Sequence, residues 1–298
     1  INLARKKVGL RTRVVAADAS GSFSYLELPQ LIKSIMLTTL VIEFTGFVIL
    51  ATQFVPLFGW QSGLACAAFQ AVSAFCNAGF DLMGDKTGQY SSLTAFNGYP
   101  VILLATAGLI ICGGLGFTVW RDIVEWRKTR KLRLHSKIAI LMTSILIVGG
   151  TLFFIVSEWS NTGSQALGTL PVWQRPIAAF FQSVTLRTAG FNSVNQSNLF
   201  AESKVISVIL MFIGAGSGST GGGIKISTFA VLMYTLVSDI HGRGVVTMRN
   251  YRIPSSLVRR AITIFFLGLA IMLGLSLALS FAEHEALLAG RFGYLDLL

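Results

Sequence analysis

The sequence predicts an all-α membrane protein in which parallel repeats of helix, re-entrant pore loop and helix surround a central pore. Three observations carry that expectation. The chain is too apolar for water, its apolar segments come in two lengths, and one stretch of sequence occurs twice.

Of the 298 residues, 53% are hydrophobic and only 12% are charged, and the mean hydropathy is +0.68. A soluble domain carries about 25% charged residues, so a chain of this length and composition needs a bilayer as its solvent. The cysteines Cys66, Cys76 and Cys112 are scattered without CxxC spacing, which argues against a disulfide framework or a zinc site and leaves them as small packing residues. The opening INLARKKVGLRTR has no apolar stretch close behind its charges and is not read as a signal peptide. It reads as a basic loop already in progress, and RFGYLDLL stops without a polar tail, so a fragment of a longer protein is expected.

A membrane span needs about 20 mostly apolar residues. The segments that meet or approach this are Leu31–Val55 (with Lys33 at one end and Glu43 inside), Gly98–Trp120, Ile138–Ser157, Val205–Asp239 and Ala261–Ala282. The fourth is broken by a glycine run. Two further apolar stretches, Gly63–Phe75 and Pro176–Leu186, are too short to span and read as re-entrant helices. Pro176 suits a first turn, where its missing N–H costs nothing.

Positive charge sets the orientation. Arg5, Lys6, Lys7, Arg11 and Arg13 precede the first span. Arg121, Arg127, Lys128, Arg130, Lys131, Arg133 and Lys137 follow the second; Arg243, Arg249, Arg252, Arg259 and Arg260 follow the fourth. These three loops alternate so as to share one side, which is then cytoplasmic. This topology accounts for the net charge of +11, and no nucleic-acid partner is expected from the basic loops.

The repeat is ungapped. Residues 67–80 read AAFQAVSAFCNAGF and residues 178–191 read AAFFQSVTLRTAGF, and each copy lies between two spans. Two further spans separate the copies, so they run parallel, as around an axis along the membrane normal. A re-entrant helix followed by extended backbone survives at membrane depth only when buried or lining water, and its carbonyls can replace an ion's hydration shell. Gly79 and Gly190 would turn those carbonyls toward an axis. The helix C-termini add partial negative charge, which favours a cation. Phe80 and Phe191 are placed as anchors behind the turn.

Other motifs bound the function. Gly218 and Gly223 have Walker spacing, but Ile224 displaces Lys225 and the flanks are membrane helix, so no nucleotide site is expected here. His135, His241 and His284 lie in or near loops without an acid–base partner in a span, and no enzyme is expected. Asp18, Asp122 and Asp239 read as surface residues at cytoplasmic ends. Glu43 is either an ion ligand or a neutral acid bonded to a neighbouring helix, and stays outside the core site. A secondary cation symporter with re-entrant hairpins is the alternative function; it predicts inverted repeats and intramembrane acids.

The segments SAFCNAGF, TLRTAGFN and GAGSGSTGGGIK resemble the Trk/Ktr/HKT superfamily of potassium transporters, and the latter two most resemble its KtrB-type membrane subunits. That resemblance implies four repeats in one chain, of which this sequence would hold two complete. Residues 1–30 would be the cytoplasmic end of repeat 1 and a linker, 31–120 repeat 2, 121–137 a basic loop, 138–240 repeat 3 and 241–260 a second basic loop. Residues 261–298 would be the outer helix of an incomplete repeat 4, whose pore helix starts near Tyr294–Leu298. Two of the family's four filter segments are absent.

The resemblance implies a selectivity filter of Asn77, Ala78, Gly79 and Phe80 with Thr188, Ala189, Gly190 and Phe191, holding K+ at backbone carbonyls. Spacing alone implies only a cation, and Na+ is admitted as a second ion. The run Gly214, Ala215, Gly216, Ser217, Gly218, Ser219, Thr220, Gly221, Gly222 and Gly223 is either a helix-crossing patch or a mobile loop; the resemblance makes it an intramembrane gate. Lys225 beside it should face water or pair with carbonyls. Arg187 is read as a filter support bonding pore-helix carbonyls, with an electrostatic throttle as the alternative. The implied partners are a second copy of the subunit, a cytosolic ring of nucleotide-binding regulatory subunits of the KtrA/TrkA type on loops 121–137 and 241–260, and membrane lipids. The implied location is a bacterial plasma membrane.

Overall fold

The computed structural model describes residues 28–242, 246–248, 251–285 and 293–297. The basic positions 5–13, Asp18, Arg243, Arg249 and Leu298 lie outside the described residues. The described fold is helical. Its main elements are α1 (Leu28–Phe58), α2 (Trp60–Phe75), α3 (Pro100–Leu115), α4 (Phe117–Thr129), α5 (Leu134–Glu158), α6 (Arg175–Thr185), α7 (Ala201–Phe212), α8 (Ile226–Ile240) and α9 (Ser255–Ala282). A two-residue antiparallel ribbon, β1 (Thr247–Met248) with β2 (Tyr251–Arg252), lies between α8 and α9.

Helices α1, α5 and α9 are each long and apolar enough to cross a bilayer. Their outer faces carry Leu37, Leu40, Phe44, Phe266, Leu275 and Phe281, all largely exposed in the isolated chain. Such a surface suits lipid or a packed neighbour, not water. The chain reverses after α1 at Gly59, φ +79°, and α2 folds back against it. Gly63 permits the contact, because a Cβ there would lie 2.5 Å from the Phe54 carbonyl oxygen. Helix α2 begins one turn earlier than the apolar stretch alone suggested. At 16 residues it is still about 24 Å long, and α6, at 11 residues, is shorter.

The expected second span is not one helix. The chain bends by 93° between α3 and α4, at Gly116 with φ +92°. The cause is tertiary. The carbonyls of Gly114 and Gly113, orphaned at the end of α3, accept from the amides of Gly216 and Thr220, at 2.8 and 3.3 Å. The amide of Phe117 donates onward to the Gly218 carbonyl at 3.0 Å.

Asp122 is likewise corrected. It is 5% exposed, not a surface residue. It accepts from the Ser136 hydroxyl and pairs with Arg133 Nε at 3.3 Å, which staples α4 to α5. Asp239 is exposed, as expected. The main core joins Phe54, Phe75, Leu103 and Ile110 to Phe181 and Phe191, so residues around both Ala-Gly-Phe segments share one packed interior.

Candidate functional site

Both Ala-Gly-Phe segments leave their helices in the same way. After α2, Asn77 has φ +52° and Gly79 has φ +74°; after α6, Thr188 has φ +66° and Gly190 has φ +85°. Each therefore alternates left-handed, ordinary, left-handed at the aligned positions. For a non-glycine residue this region is uncommon, and for a β-branched one such as threonine it is an outlier. Held strain of this kind clusters at functional sites.

The two turns meet. A Cβ on Gly79 would lie 2.7 Å from the Ala189 carbonyl oxygen and 2.9 Å from Gly190 Cα. One on Gly190 would lie 3.2 Å from Gly79 Cα. Segments 111 positions apart in the repeat alignment thus touch backbone to backbone, with no room for a side chain between them.

Hydroxyl groups of the preceding helices hold the turns. Ser73 Oγ donates to the Phe80 carbonyl at 2.7 Å and accepts from the Phe80 amide at 3.1 Å. Thr185 Oγ1 donates to the Phe191 carbonyl at 2.6 Å. The two phenylalanines differ. Phe191 is fully buried in the main core, whereas Phe80 is 69% exposed.

The glycine run is an ordered crossing. Its limbs bond each other through Gly214 N to Ile224 O at 3.1 Å, Ala215 N to Gly222 O at 3.1 Å and Ile226 N to Ala215 O at 3.1 Å. Small residues are required, since a Cβ on Gly214 would lie 1.8 Å from the Gly222 oxygen. The run docks against both turns. Thr220 Oγ1 donates to the Phe75 carbonyl at 2.8 Å and accepts from Asn77 Nδ2 at 2.9 Å. Thr188 Oγ1 accepts from the Gly222 amide at 2.8 Å. The two strained non-glycine residues are thus the two tied to the run. A polar side chain two positions before each glycine was the only sequence signal for this. Lys225 donates to the Gly221 carbonyl at 2.7 Å.

A cavity of about 1010 Å³ opens beside the turns, with Asn77, Ala78, Thr188 and Gly190 on one wall and Lys204, Met211 and Asp296 on another. Arg187 does not line it, although Leu186 and Thr188 do. Arg187 is 4% exposed, and its Nε and Nη2 meet no hydrogen-bond partner among the described residues. Those two groups therefore make no bond to a pore-helix carbonyl, contrary to the expected bracing. Glu43 is half-buried on α1 and does not line the cavity.

These helices and interrupted helices define a multi-pass α-helical membrane protein. The chain belongs to the TrkH family of cation transport proteins, whose model matches residues 1–283. It is 36% identical over 281 residues to the potassium/sodium uptake protein NtpJ of Enterococcus hirae, covering 94% of this chain and 60% of that protein. It is 39% identical over 270 residues to the Ktr system potassium uptake protein B of Vibrio alginolyticus, covering 89% and 57%. The protein of that description from Bacillus subtilis is 35% identical over 271 residues, covering 89% and 59%. The chain thus spans somewhat under two thirds of the length of these relatives. Among solved structures, the potassium transporter TrkH from Vibrio parahaemolyticus shares the fold, with a TM-score of 0.65 at 20% identity over 90% of this chain and 55% of that one.

Proposed function

We propose that this chain is part of a potassium-uptake subunit, in which K+ passes the backbone carbonyls of residues 77–79 and 188–190. The observation that carries the reading is the meeting of Gly79 and Gly190, each at the end of a re-entrant helix with the same left-handed alternation. Carbonyls in such turns supply the oxygen shell that a dehydrated cation needs, and helix C-termini favour positive charge there. The similar proteins are potassium-uptake proteins, which supplies potassium as the ion. NtpJ, a potassium/sodium uptake protein, supplies sodium as a second ion. The run 214–223 is the gate, closed where Thr220 and Gly222 hold the filter turns. The basic stretches 121–137 and 241–260 receive cytosolic nucleotide-binding regulatory subunits, and two membrane subunits associate.

Potassium uptake by a strain lacking its own systems tests the reading, with the complete gene expressed. Growth at low potassium is the expected result. Failure to grow, with the protein present in the membrane, overturns it.

Arg187 supports the filter from behind, through bulk and through charge kept off the ion path. Arg187→Gln is expected to lower uptake at least about tenfold, since a buried guanidinium replaced by a shorter group leaves a void. A rise in uptake would instead identify the arginine as a throttle.

A further inference from the structure

Among the described residues lining the cavity only two are charged, Lys204 and Asp296. Lys204 lies in the first turn of α7, and Asp296 closes the single turn Tyr294–Asp296. They form an ion pair, Nζ to Oδ1 at 2.7 Å, with side chains 18% and 28% exposed. The other carboxylate oxygen accepts from the Gly293 amide at 2.8 Å, which fixes the carboxylate's direction. The turn is tied to α9 by the Ser276 and Tyr294 hydroxyls at 2.8 Å. Burial pushes the Asp296 carboxyl up, but the hydrogen bonds from Lys204 and Gly293 and the lysine's charge outweigh it and hold the group below the usual carboxylate range.

A cleft lined by one sign of charge concentrates the opposite ion and raises its entry rate. Here both signs are present and joined, so the described lining carries no net charge. The pair is partly open to solvent, where a carboxylate exchanges partners readily. We infer that Asp296 is the carboxylate that meets an incoming cation, and that Lys204 is a tethered competitor that holds its attraction in check. The pair thereby sets the apparent affinity for the transported ion without touching the filter. This assignment rests on the potassium-uptake reading of the cavity.

The test compares Lys204→Met, Asp296→Asn and the double variant for initial K+ uptake, each normalised to protein in the membrane. Uptake is measured at low ionic strength and again with an impermeant salt added. Removing the lysine leaves the carboxylate unpaired and lowers the KM for K+, by about three- to tenfold on the lower scale of electrostatic steering. Removing the carboxylate leaves the lysine unpaired and raises KM by a similar factor. The double variant returns to within about twofold of the parent. Both shifts shrink as the Debye length falls from about 30 Å at 0.01 M to about 8 Å at 0.15 M salt.

A pair that is only a strap between α7 and the turn gives a different pattern, in which both single variants lose uptake together and salt changes neither. That pattern, or unchanged KM in both single variants, overturns the assignment while leaving potassium uptake standing. Absence of uptake by the unsubstituted protein overturns the potassium reading and this assignment with it.

Discussion

Gly79→Ala is expected to abolish potassium uptake, and Gly190→Ala to lower it by at least about a hundredfold, with both proteins still reaching the membrane. An L-residue in the left-handed region costs about 1–2 kcal/mol, which alone is roughly tenfold if it falls on the conducting state. Space decides the rest. The new Cβ at position 79 would lie 2.7 Å from the Ala189 carbonyl oxygen, which cannot retreat without turning its own peptide. At position 190 the nearest atom is 3.2 Å away, so that turn has a few tenths of an ångström to give. The order of severity, Gly79 before Gly190, is part of the prediction. Gly59 is the control, being left-handed at φ +79° but with open space around its Cβ. Potassium uptake normalised to membrane-inserted protein is the measurement. If the Gly79 and Gly190 substitutions cost no more than Gly59→Ala, close approach of the turns has no role in conduction.

The second large effect is of opposite sign. Deleting residues 218–221 is expected to raise potassium flux, because it removes Thr220 and the Gly218 contact to Phe117 together. Thr220→Val is the milder form. It loses the bonds to the Phe75 carbonyl and to Asn77 at nearly constant volume. At about 1 kcal/mol net for each hydrogen bond, two bonds shift a closed–open balance by roughly thirtyfold. A flux rise of at least about fivefold is expected, with less response to regulation. Unchanged flux and unchanged regulation in the deletion would remove the run from the gating role. A fall in flux for Thr220→Val alone would show that the threonine serves chiefly to hold Asn77 in its strained turn.

Much of this architecture was legible along the chain because it depends on local composition. The long uncharged stretches are α5 and α9 in the structure, and Pro176 starts α6. The Ala-Gly-Phe copies were visible because a left-handed turn without space for a Cβ leaves glycine as its mark. The glycine run was visible for the same reason. What stayed hidden depended on residues far apart in sequence. Nothing in the uncharged stretch Pro100–Trp120 marks Gly116 as a 93° corner. The acceptors that let α3 end there are met by amides about a hundred positions downstream. Asp122 is hydrophilic and near a basic loop, so its burial could not be read without the fold that brings Ser136 and Arg133 onto it. Phe80 and Phe191 occupy equal places in the repeat, yet only Phe191 has a core on its far side.

By itself the sequence determined that this is a membrane protein with one apolar stretch repeated and a segment too rich in glycine for a continuous helix. Each follows from the free energy of placing apolar groups, charges or flexible backbone in a given solvent, which is a property of the segment alone. Only the tertiary structure decided that the two units touch at Gly79 and Gly190, that the glycine run ties both through Thr220 and Thr188, and that Lys204 and Asp296 share their cavity. The reason is physical. An unmet carbonyl, a strained threonine and an unpaired charge each specify that a partner is needed, and the packing of the whole chain decides which one arrives.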